Sequence, residues 1–406
     1  MRRSNSIRLL VAVTLAAACF AATRSSQAES DPTAYHITLP LGVPSDAWNY
    51  FIPNDNPMTE AKVALGRDLF SDKQLSADGT ISCSTCHDPR FAFTDGKPVA
   101  EGIHGRKGRR SAPTLLNAMF NSGQFWDGRV ETLEEQVKQP LINPDEMGND
   151  SHQQVVARLE ASPHYAAAFQ TVFGGDVTMD RIGKAIAAFE RTLVSGNSPF
   201  DRYAAGERSA MSDAAKRGLF LFSGKGRCNV CHTFNSIFSS AAPSQVFPFF
   251  TDQMYHNTGV ALNDAAYPGM ARQAAQLAKT GPAPAALQQL ATEPAASPLG
   301  RFLVTGNSLD IGAFKTPSLR DVELTAPYFH DGSAKTLADV VAFYVKGGNP
   351  NPNRDWELQP VNLSTAEQAD LVEFLKSLTS DDVRRLAEQS RAAASHLTSP
   401  TSQGSH

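Results

Sequence analysis

The sequence predicts a mostly α-helical fold of two similar domains with long loops, and three observations support it. A Cys-x-x-Cys-His segment occurs twice in the 406 residues. Behind these two segments, matching stretches recur at a constant spacing of 204 positions, which indicates internal duplication. Helix signals are frequent along the chain, whereas strand signals are few.

Three helix starts can be placed from the sequence. Thr178 is expected to cap a helix over 179–193, where apolar residues recur at helical spacing. Ser364 and Glu367 have the spacing of a capping box. Ser151 is expected to begin a further helix.

The two Cys-x-x-Cys-His segments have the pattern of attachment sites for c-type haem. Their residues are Cys83, Cys86 and His87 in the first segment and Cys228, Cys231 and His232 in the second. Two thioethers hold the porphyrin edge in such a site, and the adjacent histidine is the proximal iron ligand. Two disulfides would not need these histidines, a thioredoxin-like site would need a βαβ context, and zinc would need ligands outside the repeat. We therefore expect two covalently bound haems in two c-type cytochrome domains.

The repeat divides the chain into an N-terminal haem domain at 29–200 and a C-terminal haem domain at 201–380. The matching stretches are 112–115 with 316–319, 125–128 with 329–332, and 132–134 with 336–338. The second domain is longer, and its segment 281–298, rich in Ala and Pro, is expected to be a loose loop. The tail at 381–406 is expected to begin as a helix and to be disordered from Ser395.

Residues 1–28 have the features of a cleaved signal peptide. A basic start precedes an apolar run at 9–22 that is too short to span a bilayer, and small residues end the segment at Ala28. A lipid-modified Cys19 is an alternative, but the residues around it make a poor lipobox. The sequence therefore predicts export to the periplasm.

The charge of the exported chain limits its partners. Cleavage after residue 28 removes four arginines and leaves 33 basic against 41 acidic residues, a net charge of −8. Nucleic acid is therefore not expected as a partner. A small basic electron-donor protein would be attracted by this charge.

Several longer motifs resemble the bacterial di-haem cytochrome c peroxidases, a family that also includes MauG-like enzymes. The motifs are Gly102-Ile103-His104-Gly105, Gln124-Phe125-Trp126-Asp127-Gly128-Arg129, Tyr255-His256-Asn257-Thr258-Gly259-Val260 and Ala326-Pro327-Tyr328-Phe329-His330-Asp331-Gly332. The likeness covers essentially the whole chain after residue 28. It implies that hydrogen peroxide reacts at the haem on His87 and that the haem on His232 receives electrons from a donor of cytochrome c or cupredoxin type. Family members often form homodimers.

The resemblance also assigns roles to four residues. Trp126 matches a tryptophan between the two haems, although a core aromatic would also suit its position. Glu146 and Gln136 match distal-pocket residues, in which a carboxyl group shuttles protons and an amide holds the peroxide oxygen. Pro140 is expected to end the helix that carries Gln136, which frees the following loop to turn over the haem. His104, in a glycine-rich loop, matches a histidine that caps the first haem in resting enzymes.

Two further matches concern metal ligands. Calcium ligands of the family fall at Ser111, where Asn is usual, and at the carbonyls of Thr325 and Pro327, and a serine oxygen is an acceptable calcium ligand. Tyr344 occupies the position where peroxidases carry a methionine ligand to the second haem iron and MauG-like members carry a tyrosine. The alternative is that Tyr344 is a core aromatic.

Three functions follow from these features. The first is reduction of hydrogen peroxide with electrons from a donor protein. The second is a MauG-like oxidation of a protein or organic substrate, which Tyr344 favours. The third is electron transfer without catalysis, which would not need Glu146 or Gln136.

Overall fold

The computed structural model describes residues 34–233 and 249–398, so the signal peptide expected at 1–28 lies outside the described residues. The described chain is mostly helical with long connections. Its α-helices are α1 Ser45–Tyr50, α2 Glu60–Ser71, α3 Cys83–Cys86, α4 Leu133–Ile142, α5 His152–Glu160, α6 Pro163–Phe173, α7 Met179–Glu190, α8 Pro199–Ala204, α9 Asp213–Ser223, α10 Tyr267–Ala278, α11 Pro284–Ala291, α12 Phe302–Thr305, α13 Leu337–Val345, α14 Thr365–Lys376 and α15 Asp381–Thr398. The two short strands β1 Tyr255–His256 and β2 Phe314–Lys315 pair antiparallel. Within the described ranges, no helix is long and apolar enough to cross a membrane.

The three expected helix starts are confirmed by their capping hydrogen bonds. The Thr178 hydroxyl accepts a hydrogen bond from the backbone N–H of Arg181 at the start of α7. Ser364 and Glu367 form the reciprocal pair of a capping box at α14. Ser151 caps α5. The helix α7 ends at Glu190 rather than residue 193, because the chain tightens into shorter-range turns there, with the N–H of Leu193 bonded to the Glu190 carbonyl.

Three expectations about irregular segments were wrong. Pro140 does not end α4: it lies in the last turn, and the helix continues to Ile142 without the hydrogen bond that Pro140 cannot donate. The segment 281–298 is not a loose loop, since α11 lies within it and buries Leu287 and Leu290 in a small core. The disorder expected from Ser395 is contradicted at 395–398, because α15 continues to Thr398. Residues 399–406 lie outside the described part of the chain.

Each half of the molecule contains one close helix crossing. In the N-terminal half α2 packs on α7, and in the C-terminal half α9 packs on α14. A Cβ atom on Gly66 would lie 1.9 Å from the Ala185 carbonyl oxygen, and one on Gly218 would lie 2.0 Å from the Asp370 carbonyl oxygen. These crossings therefore require glycine, since any side chain would collide with the backbone of the second helix.

The same local backbone occurs in both halves at the 204-residue spacing. An isolated bridge joins Gln124 to Val130 and another joins Tyr328 to Ala334. Phe125 and Phe329 both have a positive φ, of 66° and 71°. The equivalent helices α4 and α13 are capped by Thr132 and Thr336 respectively.

The tail helix connects the two halves. Val383 on α15 is buried in the core of the N-terminal half, beside the residues that follow the first haem motif. Within the C-terminal half, the buried Arg320 guanidinium donates two hydrogen bonds to Asp201, at 2.8 and 2.9 Å. Apolar contacts of α15 therefore join the two halves, and a buried ion pair stabilises the C-terminal half.

We predict that Gly218→Ala destabilises the protein by about 1–3 kcal/mol, the usual cost of overpacking a core. The matched control is Gly269→Ala on α10, where a Cβ would meet no atom within 4 Å. Removal of this helical glycine should leave stability unchanged or raise it by up to about 1 kcal/mol. Urea unfolding of both variants measures the difference, and equal stabilities would contradict the proposed tight crossing.

Candidate functional site

One cavity of about 1100 Å³ is lined by residues from both halves of the chain. It brings together nearly all of the site residues expected from the sequence. Those on its wall are Cys83, Cys86, His87, Ser111, Trp126, Gln136, Glu146, Cys228, Cys231, His232, Thr325, Pro327 and Tyr344. His104 is the exception.

The first haem motif forms the short helix α3, which follows α2 after a connection at 72–82. The backbone N–H of Ser82 donates to the Thr85 hydroxyl, which fixes the start of α3 and the positions of Cys83 and Cys86. Nδ1 of His87 lies 3.1 Å from the carbonyl oxygen of Phe93. An Nδ1–H donated to this carbonyl leaves Nε2 with a free lone pair for a metal. Burial lowers the pKa of His87, which favours this neutral form.

The second haem motif repeats this arrangement after α9. Residues Cys228–Val230 form a 3-10 turn, and Nδ1 of His232 lies 2.8 Å from the carbonyl oxygen of Phe250. The four motif cysteines are not joined in disulfides. Burial raises the pKa of Cys228 to about 12 and that of Cys86 to about 11. Uncharged thiols and two oriented imidazoles on one largely apolar cavity fit two covalently attached haems.

Glu146 is held on the cavity wall by the loop after α4. Asn143 donates a hydrogen bond from Nδ2 to Oε1 of Glu146 at 2.8 Å. The loop is closed by backbone bonds from Met147 to the carbonyl of Pro140 and from Gly148 to that of Asn143. Burial raises the pKa of Glu146, and the nearby Arg129 and the Asn143 amide oppose this only in part. The carboxyl group can therefore exchange a proton at a higher pH than an exposed glutamate.

Trp126 is fixed by hydrogen bonds to both halves of the molecule. Its indole Nε1–H donates to the Ser111 carbonyl at 2.9 Å, and its own carbonyl accepts from the N–H of Lys315 at 2.8 Å. Its ring centre lies 6.3 Å from that of His330, the residue 204 positions later. Trp126 thus occupies the junction between the two halves, on the wall of the shared cavity.

Tyr344 lies near the end of α13 on the part of the cavity wall that also contains Cys228 and Cys231. Burial, together with the nearby Cys231 and Cys228, raises the pKa of its phenol above the usual value. The phenol is therefore protonated in the protein alone.

The structure does not bring His104 into the cavity. Its side chain is exposed, and Nδ1 lies 3.5 Å from the Asp78 carboxylate. Its loop nevertheless contacts the Glu146 loop, because the N–H of Ile103 donates to the Glu146 carbonyl at 2.9 Å. Gly102 packs against the same backbone so closely that a Cβ would lie 2.2 Å from the Asp145 carbonyl oxygen.

The structure also shows polar groups at the site that the sequence did not reveal. The buried carboxyl of Glu190 lines the cavity, and its Oε2 has no hydrogen-bond partner among the described residues. Burial raises the pKa of Glu190 to about 8 and lowers that of Lys315, also on the wall, to about 8. His256 interacts with Asp252 and Asp355 beside Cys231. His256 lies in the motif at 255–260 that the sequence analysis identified, but that motif assigned it no chemistry.

The fold and the site define a class of protein, a two-haem c-type cytochrome with acid–base groups on the haem cavity. A profile of the di-haem cytochrome c peroxidase family matches residues 60–209. The methylamine utilization protein MauG of Methylorubrum extorquens is 37% identical over 332 residues, covering 81% of each chain. The cytochrome-c peroxidase IdrP1 of Denitromonas iodatirespirans is 37% identical over 390 residues, covering 93% of this chain and 94% of the relative.

Solved structures agree with these relatives. A MauG-like protein associated with microbial copper homeostasis superposes with a TM-score of 0.67 at 32% identity, covering 86% of this chain and 97% of the other. The diheme peroxidase BthA of Burkholderia thailandensis has a TM-score of 0.60 at 26% identity, covering 86% and 96%. The chain belongs to the di-haem cytochrome c peroxidase and MauG family and is an oxidoreductase of the cytochrome-c peroxidase type. Two c-type haems are accordingly expected in the cavity.

We predict that the ionisation of Glu146 controls peroxide turnover on the acid side. A base must be deprotonated to accept a proton, so kcat/KM for peroxide should fall as the pH drops through the raised pKa of Glu146, at a pH above 4.5. Glu146→Gln should remove this acid limb and lower turnover by roughly a hundredfold or more.

The control for this prediction is Glu135→Gln, which removes an exposed carboxylate of α4 that is not on the cavity wall. This control should show the same dependence of kcat/KM on pH as the unaltered protein. Haem content of each variant is measured first. Full turnover by a correctly loaded Glu146→Gln protein would remove Glu146 from the mechanism.

Proposed function

We propose that the protein reduces hydrogen peroxide to water with electrons from a small donor protein of cytochrome c or cupredoxin type. One observation carries this proposal: Glu146, with its raised pKa, shares a cavity with Gln136 and with both haem motifs. Acid–base groups of this kind are needed to cleave peroxide and are not needed to carry electrons. Non-catalytic electron transfer, the third function considered, is therefore not supported.

The residues of the cavity divide the work of the reaction, in which peroxide, two electrons and two protons give two waters. When bound, the haems supply the iron for oxygen–oxygen cleavage and the electrons that it consumes. Glu146 removes a proton from the incoming oxygen and returns it to the leaving oxygen. The Gln136 amide hydrogen-bonds the peroxide without changing its protonation. A hydrogen bond from the Asn143 amide holds the Glu146 carboxyl in place.

The decisive experiment is steady-state peroxide turnover of the two-haem protein with different reductants. Rapid turnover with reduced cytochrome c or a reduced cupredoxin, at a ratio of two electrons per peroxide, is the expected result. Turnover supported by organic reductants alone would overturn the assignment of the donor. Absence of turnover with every reductant would overturn the proposed peroxidase function.

A second function, MauG-like oxidation of a protein or organic substrate, is favoured by Tyr344. Its phenol is buried on the cavity wall beside Cys228 and Cys231, where it would bind the iron of a haem attached at this motif. A phenolate ligand is hard and anionic and stabilises ferric iron, whereas a thioether stabilises ferrous iron. A tyrosine at this position therefore suits a site that is held in oxidised states.

We further propose His104 as a mobile sixth ligand of the first haem. In the structure its side chain faces solvent, but its loop is bonded to the backbone of Glu146. Movement of this loop would therefore be coupled to the distal loop. A haem that is high-spin in the oxidised protein would contradict a closed resting state.

Four wider proposals rest on the sequence and the resemblance. Residues 1–28 direct export to the periplasm, the two haem domains arose by duplication, and the protein forms a homodimer. Calcium binds near Ser111, Thr325 and Pro327, which all lie on the cavity wall. The Ser111 carbonyl already accepts from Trp126, so its hydroxyl is the oxygen proposed for calcium. The repeated backbone at Phe125 and Phe329 supports duplication.

We predict that Tyr344→Phe changes the spectrum of the ferric haem on His232 and raises its reduction potential. Loss of an anionic ligand favours the ferrous state, which is the physical reason for the rise. Tyr328→Phe is the control, since Tyr328 also lines the cavity but is not proposed as a ligand. Spectra and potentials of Tyr344→Phe that equal those of the unaltered protein would show that Tyr344 is a core aromatic.

A further inference from the structure

Two surface segments near the second haem motif are held together by charged contacts. The first is the haem segment itself, residues 227–232, and the second is the segment 355–357. The Arg227 guanidinium forms an ion pair with Glu357. The Asp355 carboxylate is hydrogen-bonded to Nδ1 of His256. The first contact joins the segment 355–357 to the haem segment, and the second joins it to His256.

His256 connects the second segment to the haem attachment point. Its Nε2 lies 2.8 Å from the Asp252 carboxylate. The ligand atoms of His256, Asp252 and Cys231 all lie within 4.8 Å of one another. A continuous series of side chains therefore runs from Asp355 through His256 to the sulfur of Cys231, the atom that a c-type haem uses for attachment.

The charge state of His256 makes this series rigid. Burial disfavours the charged imidazole, but the hydrogen bonds to Asp252 and Asp355 raise the pKa of His256, and the Cys231 thiol adds to this effect in the haem-free protein. An imidazolium between two carboxylates donates at both nitrogens and has one orientation.

Trp356 stands on the surface in the middle of the second segment. Its side chain is 76% exposed, which is unusual for an indole. The turn that carries it is closed by a hydrogen bond from the Gln359 amide to the Trp356 carbonyl at 2.7 Å. Val230, within the haem segment, is 41% exposed. The exposed indole is thus covalently next to Asp355 and hence linked to the haem attachment point.

We propose that Trp356 is the entry point for electrons from a protein donor that is too large to enter the cavity. One electron leaves the donor, which is oxidised, and passes by Trp356, Asp355 and His256 to the haem on Cys231, where ferric iron becomes ferrous. Covalent and hydrogen bonds conduct electrons better than gaps through space. This proposal rests on the proposed role of the second haem as the electron inlet, and it holds for either function proposed above.

Single-turnover reduction of the ferric two-haem protein, without peroxide, tests the entry point separately from peroxidase activity. Two protein reductants are used: reduced cytochrome c and the stronger reductant reduced flavodoxin. Dithionite serves as the small-molecule reductant. Trp356→Ala should slow reduction by the protein reductants at least tenfold and leave the dithionite rate unchanged. The rate at which the protein reductants reduce Trp356→Phe should lie between the rates for the unaltered protein and for Trp356→Ala. The control is Tyr50→Ala on α1, an aromatic that is 72% exposed and distant in sequence from both haem motifs.

The potential and spectrum of each variant are measured in parallel, so that a structural disturbance of the haem is recognised. Equal slowing with dithionite, or a shifted potential, would show a structural role and would overturn the proposal. Reduction of Trp356→Ala at the unaltered rate would overturn it as well. The proposal would also be overturned if dithionite reduced the unaltered protein but neither cytochrome c nor flavodoxin did. Failure of peroxide turnover alone would affect only the proposed function.

Discussion

The close contact of one glycine with the backbone of a neighbouring helix, once in each half, is the constraint on which the site depends. Gly66 brings α2 against α7, and Gly218 brings α9 against α14. α9 ends four residues before the second Cys-x-x-Cys-His segment, and α2 leads to the first one through a connection at 72–82, so each crossing precedes a haem segment in the chain. Each proximal histidine is then oriented by a backbone carbonyl, that of Phe93 or Phe250. Backbone contacts of this kind position the ligands more exactly than flexible side chains would.

Burial in the shared cavity determines the chemistry of its polar groups. The cavity wall is largely apolar, and transfer of a charge into such surroundings is unfavourable unless it is paired. Burial therefore raises the pKa values of Glu146 and Glu190 and lowers that of Lys315. The charged pair of Arg320 and Asp201 is compensated by two hydrogen bonds and keeps its ionised form. Buried acid–base groups of the cavity wall thus have shifted pKa values, whereas Asp201, which is paired with Arg320, stays ionised.

In the functions proposed above, the two halves contribute unequal parts to one electron path. Trp126, bonded to Ser111 and Lys315, bridges the halves inside the molecule. Trp356 and His256 lead from the surface to the second haem motif. The relatives include both cytochrome-c peroxidases and MauG proteins. In the functions proposed above, Tyr344 is the residue that favours the MauG-like activity.

The sequence alone determined the haem motifs, the helical class, the three capped helix starts and the family, because these depend on local spacing along the chain. Predictions from the sequence were wrong where contacts between distant segments determine the local structure. Residues 281–298 are helical because Leu287 and Leu290 find an apolar partner in Phe302, and α15 packs on the other half through Val383. Only the tertiary structure showed that Asn143 orients Glu146, that His104 faces solvent, and that His256 links Trp356 to Cys231. Burial and the meeting of side chains from distant segments have no signature in local spacing, since they arise when the helices pack.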